Sequence, residues 1–280
     1  MLQNQAIGMS TRGSLPGRIE AETAPLPWYR PVRREIEVFD NAFRQGLPVM
    51  LKGPTGCGKS RFVEYMAARL ERPLVTVACH DETSAVDLVG RYLVVAGETV
   101  WQDGPMTRAV RQGAILYLDE IAEARSDVVV VIHPLTDHRR RLVVERHNEE
   151  IDAAPGFCLV VSFNPGYQRG LKELKPSTRQ RFVGMSFGYP APEVELEILL
   201  GETGIGASEG KRLVALVGKL RALDTLGLAE APSTRLLVAA ARLMGAGLPP
   251  RLACEVAIVE PLTDDPDVAA GLRDVIALVF

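Results

Sequence analysis

Eight consecutive residues, Gly53-Pro-Thr-Gly-Cys-Gly-Lys59-Ser60, fit the pattern G-x-x-x-x-G-K-[ST] at every fixed position. Glycines at these places let a backbone wrap close to phosphate groups and aim its N–H groups inward, and a helix starting at Lys59 adds the positive end of its dipole. In such a loop Lys59 reaches the β- and γ-phosphates of ATP, Ser60 holds Mg²⁺, and Gly53, Pro54, Thr55, Gly56, Cys57 and Gly58 form the cradle. A second signal is Ile115-Leu-Tyr-Leu-Asp119-Glu120, an apolar run ending in two acids. Alone it reads as two solvated carboxylates after a strand. Behind a complete phosphate loop it reads as Asp119 acting on Mg²⁺ through water and Glu120 polarising an attacking water, since hydrolysis needs a base as well as a metal ligand.

Other polar residues sit where they could complete such a site. Ser162-Phe-Asn164-Pro165 closes another apolar run and puts an amide at the carboxyl edge of a sheet, where Asn164 would orient the lytic water; the plainer reading is a turn residue before proline. Arg179 and Arg181, in Pro176-Ser-Thr-Arg-Gln-Arg-Phe182, and Arg235, in Pro232-Ser-Thr-Arg235, are of the type that neutralises charge building in phosphoryl transfer. Spacing alone makes each an ordinary surface arginine. Ser233 or Thr234 is a candidate helix cap. His133, Asp137 and His138 do not match a metal-ligand helix. Arg139-Arg-Arg141 with Arg146 reads as part of a solvated or ring-lining hairpin rather than a nucleic-acid patch, because Glu145, Glu149 and Glu150 accompany it. Cys57 is read as a small residue that fits the loop; a lowered thiol pKa there would make it redox sensitive.

These residues need elements to hold them. Pro48 to Lys52 reads as a strand before the glycine-rich loop, and Lys59 to about Leu70 as an amphipathic helix after it. Leu74 to Cys79, Ala114 to Leu118 and Phe157 to Phe163 are continuous apolar runs, expected as strands covered on both faces, with a final strand after Phe182. A helix over Arg33 to Phe43 leads in. Runs around Ala96-Gly97-Glu98 and His147-Asn148 predict hairpins over Arg91 to Gln102 and Arg141 to Ile151. Beyond Pro190-Ala-Pro192 only helical patterns remain: Glu193 to Leu200, Ser208 to Leu223, Thr234 to Ala246, Pro250 to Ile258 and Asp267 to Phe280. The expected plan is α/β: a flexible segment over residues 1–27, a nucleotide-binding domain over 28–190 with a parallel, helix-flanked sheet and inserted hairpins, and a small all-helical lid over 191–280.

Composition narrows the setting. Lys+Arg 32 against Asp+Glu 35 gives no basic field to gather nucleic acid. Cys57, Cys79, Cys158 and Cys254 are too scattered for a zinc pair or a disulfide framework, which fits a reducing compartment. With no run long enough to span a bilayer and no signal-peptide pattern, a cytoplasmic protein without membrane insertion is expected.

The order of motifs resembles the AAA+ superfamily, and the two hairpins are similar to the helix-2 insert and pre-sensor hairpin of its MoxR branch. More closely, Met50-Leu-Lys-Gly-Pro-Thr-Gly-Cys-Gly-Lys59, Val77-Ala-Cys-His80, Asp87-Leu-Val-Gly-Arg-Tyr92, His133-Pro-Leu-Thr-Asp-His-Arg139, Asn164-Pro-Gly-Tyr-Gln168 and Ser233-Thr-Arg-Leu-Leu237 resemble the CbbQ/NirQ/NorQ subfamily. The resemblance implies a hexameric ring with ATP at subunit interfaces, Asn164 as sensor 1, Arg181 or Arg179 as a finger on a neighbour's ATP, and Arg235 as sensor 2. It implies a motor that works with a von Willebrand factor A domain partner of the CbbO/NorD type to remodel a large enzyme. In the CbbQ group that enzyme is Rubisco, freed of inhibitory sugar phosphates, to which this reading leans; in the NirQ/NorQ group it is a denitrification enzyme, especially nitric oxide reductase. A nucleotide-gated scaffold that hydrolyses too slowly to do work would need only Lys59 and Ser60, so the full residue set favours the motor.

Overall fold

The apolar runs pair into one parallel five-stranded sheet of order β2-β5-β8-β1-β9, built from β1 (Val49–Lys52), β2 (Leu74–Ala78), β5 (Ile115–Asp119), β8 (Cys158–Phe163) and β9 (Val183–Ser186). The structure is a computed structural model that describes residues 26–165, 174–222, 228 and 230–280. Residues 1–25 of the expected flexible segment and 166–168 of the asparagine-proline string lie outside these.

Side chains of the central strands alternate between two cores, as a period of two requires. Leu116 and Leu118 of β5 and Leu159 and Val161 of β8 face a layer that includes α4 (Pro105–Gln112) and α5 (Ser126–Val131). Ile115, Tyr117, Cys158 and Val160 face α1 (Glu35–Arg44) and α2 (Lys59–Arg69), where Phe39, Phe62 and Met66 are fully buried. Full burial of one such side chain stabilises by ~1.5–3 kcal/mol, so the sheet is held from both sides. One strand departs from the expectation. β2 pairs only with β5 and its side chains are half-buried or exposed, because it is the sheet edge and its apolar run is not covered on both faces.

Both hairpins form. In β3 (Gly90–Val95) and β4 (Glu98–Asp103) Val95 pairs with Glu98, leaving a two-residue turn in which Ala96 and Gly97 both take positive φ, 52° and 87°. That turn matches the twist of the flanking strands. β6 (Arg141–Val144) and β7 (Glu149–Asp152) are joined through a short 3-10 turn that ends at Asn148, φ 50°. Of the arginine run only Arg141 lies on this hairpin; Arg139 and Arg140 precede it and are tied down by Asp137 and by the Gly46 and Phe157 carbonyls. α3 (Ala85–Val89), α4 and α5 give weak sequence signals. α3 and α5 are short, and α4 is signed chiefly by Gly104-Pro105 at its start and Gly113 at its end.

After α6 (Pro176–Arg179) and β9 the chain turns helical, with α7 (Pro192–Thr203), α8 (Ala207–Arg221), α9 (Thr234–Gly245), a composite helix of α10 (Pro250–Cys254), a π turn over Glu255–Val259 and α11 (Glu260–Leu262), and α12 (Pro266–Ala277). Leu199, Leu213, Leu237, Ile258 and Leu272 meet in a third core that is separate from both faces of the sheet.

Candidate functional site

The parallel order makes β5, β8 and β1 neighbours, so their carboxyl ends bring together residues far apart in sequence. β1 feeds the phosphate loop. Gly56 and Gly58 take positive φ, 69° and 99°, and Gly58 is the residue from which α2 starts. Lys59 is 6% exposed and donates to the carbonyls of Gly53 and Pro54 at 2.8 and 2.9 Å, so its ammonium is already aimed along the loop. Leu118 pairs with Val161, which sets Asp119 beside Ser162. The Ser162 hydroxyl donates to Asp119 Oδ1, Tyr117 OH donates to the same oxygen at 2.7 Å, and Ser60 Oγ donates to Asp119 Oδ2 at 3.3 Å. Burial pushes the Tyr117 phenol well above its usual range, which keeps it a donor. Ser60 and Asp119 thus present converging hard oxygens of the kind Mg²⁺ takes, next to a buried ammonium suited to phosphate.

Glu120 occupies the left-handed region, φ 53° and ψ 47°, which costs a non-glycine residue energy and is met most often at functional sites. Its N–H donates to Ser162 Oγ at 3.1 Å, fixing the turn. Burial raises the Glu120 carboxyl pKa above the ordinary value and Asp119 adds to it, while Lys59 and the backbone N–H of Asn164 act the other way. Asn164, 8% exposed, donates to Thr55 Oγ1 at 3.4 Å and to Glu230 at 3.3 Å, so it stands between the phosphate loop and the acidic pair. The Cys57 thiol is raised by burial, so the structure gives it no redox-active character.

A cavity of about 660 Å³ opens over the loop and is walled by Thr55 to Ser60, Asp119, Glu120, the chain around Trp28 to Val32, and α7 and α9 of the helical region. Arg235 projects into it and has no hydrogen-bond or ion-pair partner among the described residues. Ser233 stands at the helix-starting position of α9 but makes no capping bond; it packs on the phosphate loop instead, where a Cβ on Gly56 would meet its side chain at 2.6 Å. Arg179 and Arg181 do not line this cavity. Arg181 reaches Asp137 at 3.4 Å, and Asp137, bonded also to Arg139, is held well below the usual carboxylate range. His133 lies 3.3 Å from Thr178 and is lowered by burial and by Arg181.

Sequence reasoning missed several contributors. Tyr117 and Ser162 were visible as hydroxyls inside otherwise apolar runs at matching distances from Asp119 and Asn164. The wall formed by Trp28 and Tyr29 had no such signal. Trp28 lies against Gly201 of α7, Tyr29 stacks with Phe62 and Tyr65, and Arg30 pairs with Glu197 at 2.5 Å.

A phosphate loop, an acidic strand end on the neighbouring side of the sheet and a helical region closing over both define a P-loop ATPase of the AAA class, an ATP hydrolase. Residues 48–182 match the model of the AAA domain (dynein-related subfamily), and residues 195–279 match that of the CbbQ/NirQ/NorQ C-terminal region. The chain belongs to the CbbQ/NirQ/NorQ family. It is 59% identical over 252 residues to the denitrification regulatory protein NirQ of Pseudomonas aeruginosa, covering 90% of this chain and 97% of that one. It is likewise 59% identical to NorQ of Paracoccus denitrificans (91% and 94% covered) and 54% identical to CbbQ of Hydrogenophilus thermoluteolus (91% and 95%). Among solved structures a RuvB mutant of Thermotoga maritima superposes with TM-score 0.53 at 16% identity over 87% of this chain and 69% of that one, a likeness of fold. Among the described residues no helix is long and apolar enough to cross a membrane.

Proposed function

We propose that the chain is an ATP-driven remodelling motor that acts in the cytoplasm, in which residues 28–190 hold the nucleotide and residues 191–280 form a lid. The observation that carries this reading is the shared cavity: phosphate-loop, acidic and helical-region residues wall one space, so occupancy and hydrolysis bear directly on how the two regions sit. Gly53 to Ser60 cradle the phosphates, with Lys59 on the terminal pair. Ser60 and Asp119 hold Mg²⁺, which when bound neutralises charge between the β- and γ-phosphates. Glu120 takes the proton of the attacking water; its raised pKa suits a base. Asn164, bonded to Thr55 and reaching Glu120 through its backbone, orients that water. Arg235 contacts the terminal phosphates from the lid.

Arg179 and Arg181, which lie off their own cavity, act on a neighbour's ATP in a hexameric ring. The family resemblance supports a von Willebrand factor A domain partner and a large enzyme as target. Two targets stand: Rubisco inhibited by sugar phosphates, towards which the motifs lean, and nitric oxide reductase, supported by relatives carrying the NirQ and NorQ names. Incubating the chain, its cognate partner and ATP with each enzyme tests both. Recovery of inhibited Rubisco, or maturation of nitric oxide reductase, identifies the target; no gain with either, despite active ATP turnover, would overturn the motor reading.

A further inference from the structure

We infer that Glu195 and Arg221, remote from any phosphate, form a positioning pair that sets the arm carrying Arg235 against the phosphate loop; this rests on the role proposed for Arg235. Glu195 is 1% exposed, an unusual place for a carboxylate, and its charge is met in full. Arg221 grips it through two bonds of 2.8 and 2.9 Å, and the Thr234 hydroxyl donates a third at 2.6 Å. A pair that only joined α7 to α8 would end there. Here it extends onto the arm: Arg221 Nε also donates to the Pro232 carbonyl at 2.9 Å, so residues 232 and 234 are both held from the pair.

Tyr189 extends the same cluster towards the nucleotide. The Arg221 guanidinium lies over its ring at 4.2 Å, and its hydroxyl is within reach of two carbonyls, Ala231 at 3.1 Å and Thr55 of the phosphate loop at 3.4 Å. The start of α9 lacks a side-chain cap, since Ser233 packs on Gly56. The direction in which the first turn of α9 presents Arg235 is therefore set by bonds to Glu195 and Arg221 rather than by the helix itself.

Thr234→Val removes the hydroxyl and keeps the shape; Thr234→Ser restores the hydroxyl. Glu195→Gln keeps the shape of a side chain that does not line the cavity but loses the charge. The expected result is that Thr234→Val and Glu195→Gln each lower kcat for ATP at least tenfold, within the roughly hundredfold that a misplacement of about 1 Å can cost, while the Tm of the Val variant stays near that of the parent. Thr234→Ser recovers most of the rate. Because the pair acts through Arg235, adding Thr234→Val or Glu195→Gln to Arg235→Ala lowers kcat by no more than about twofold further. Normal turnover in Arg235→Ala would overturn the role of Arg235 and this inference together. A slow Arg235→Ala alongside a normal Thr234→Val, or losses that multiply in the double variants, would overturn the positioning pair alone.

Discussion

Gly201 lies inside α7 without a positive φ, so no backbone demand explains a glycine there. The indole of Trp28 does. A Cβ at position 201 would fall 2.6 Å from Cε2, 2.7 Å from Cζ2 and 2.9 Å from Nε1 of a rigid ring, and the whole side chain would have to shift. Gly201→Ala therefore sets two effects against each other. Alanine in a helix interior gains ~1 kcal/mol over glycine, which favours the lid's own stability. Overpacking against the indole costs ~1–3 kcal/mol, relieved when the chain around Trp28 leaves α7. That chain is a wall of the nucleotide cavity, so binding must restore it against the clash, and at 1.4 kcal/mol per tenfold the affinity for ADP should fall about five- to 150-fold. Trp28 and Trp101 are the two tryptophans, so in a Trp101→Phe background the emission of Trp28 reports the wall directly. The expected outcome is a red-shifted emission and weaker ADP binding with an unchanged or higher Tm. Trp28→Ala should abolish the effect of Gly201→Ala. Unchanged ADP affinity in Gly201→Ala, with Trp28 displaced, would refute the assignment of this segment to the nucleotide wall.

Turnover should carry an acid limb set by Glu120. A base works only when ionised, and burial raises this carboxyl, so kcat falls with decreasing pH at values above the ordinary glutamate range; an acid limb at or below that range would remove Glu120 as the base. Arg181→Ala should slow hydrolysis by roughly a thousandfold or more with ATP affinity largely kept, and mixing it with Glu120→Gln subunits should recover activity at interfaces that join an intact Glu120 to an intact Arg181. Mixed rings that stay inactive would place Arg181 outside the interface, and the same mix with Arg179→Ala then tests the second arginine. Burial pushes the thiols of Cys79 and Cys158 up to about 12, so both should resist alkylation near neutral pH until the chain is unfolded; rapid labelling of the native protein would contradict this packing.

What could be read from the sequence was what is local. The phosphate loop, the acidic strand end and the two-residue hairpin turn each depend on neighbouring residues, so their patterns predict them. Strand order is a tertiary property: nothing in Leu74–Ala78 distinguishes an edge strand from a covered one until β5 is its sole partner. Glu195 looked like one more acid in the first turn of a helix, and only the meeting of α7, α8 and α9 makes it a buried acceptor of three bonds. Ser233 shows the converse. Its type and place favour a cap, and contact with Gly56 takes the side chain elsewhere.

The account turns on the separation of nucleotide binding, by Lys59 and its loop, from water activation by Glu120. Phosphate release and ATP binding measured together on Lys59→Ala and Glu120→Gln address it most directly. Lys59→Ala should lose most ATP binding. Glu120→Gln should bind ATP as the parent does and release phosphate at least about a hundredfold more slowly, the scale of a lost general base. Phosphate release near the parent rate from Glu120→Gln would contradict the mechanism.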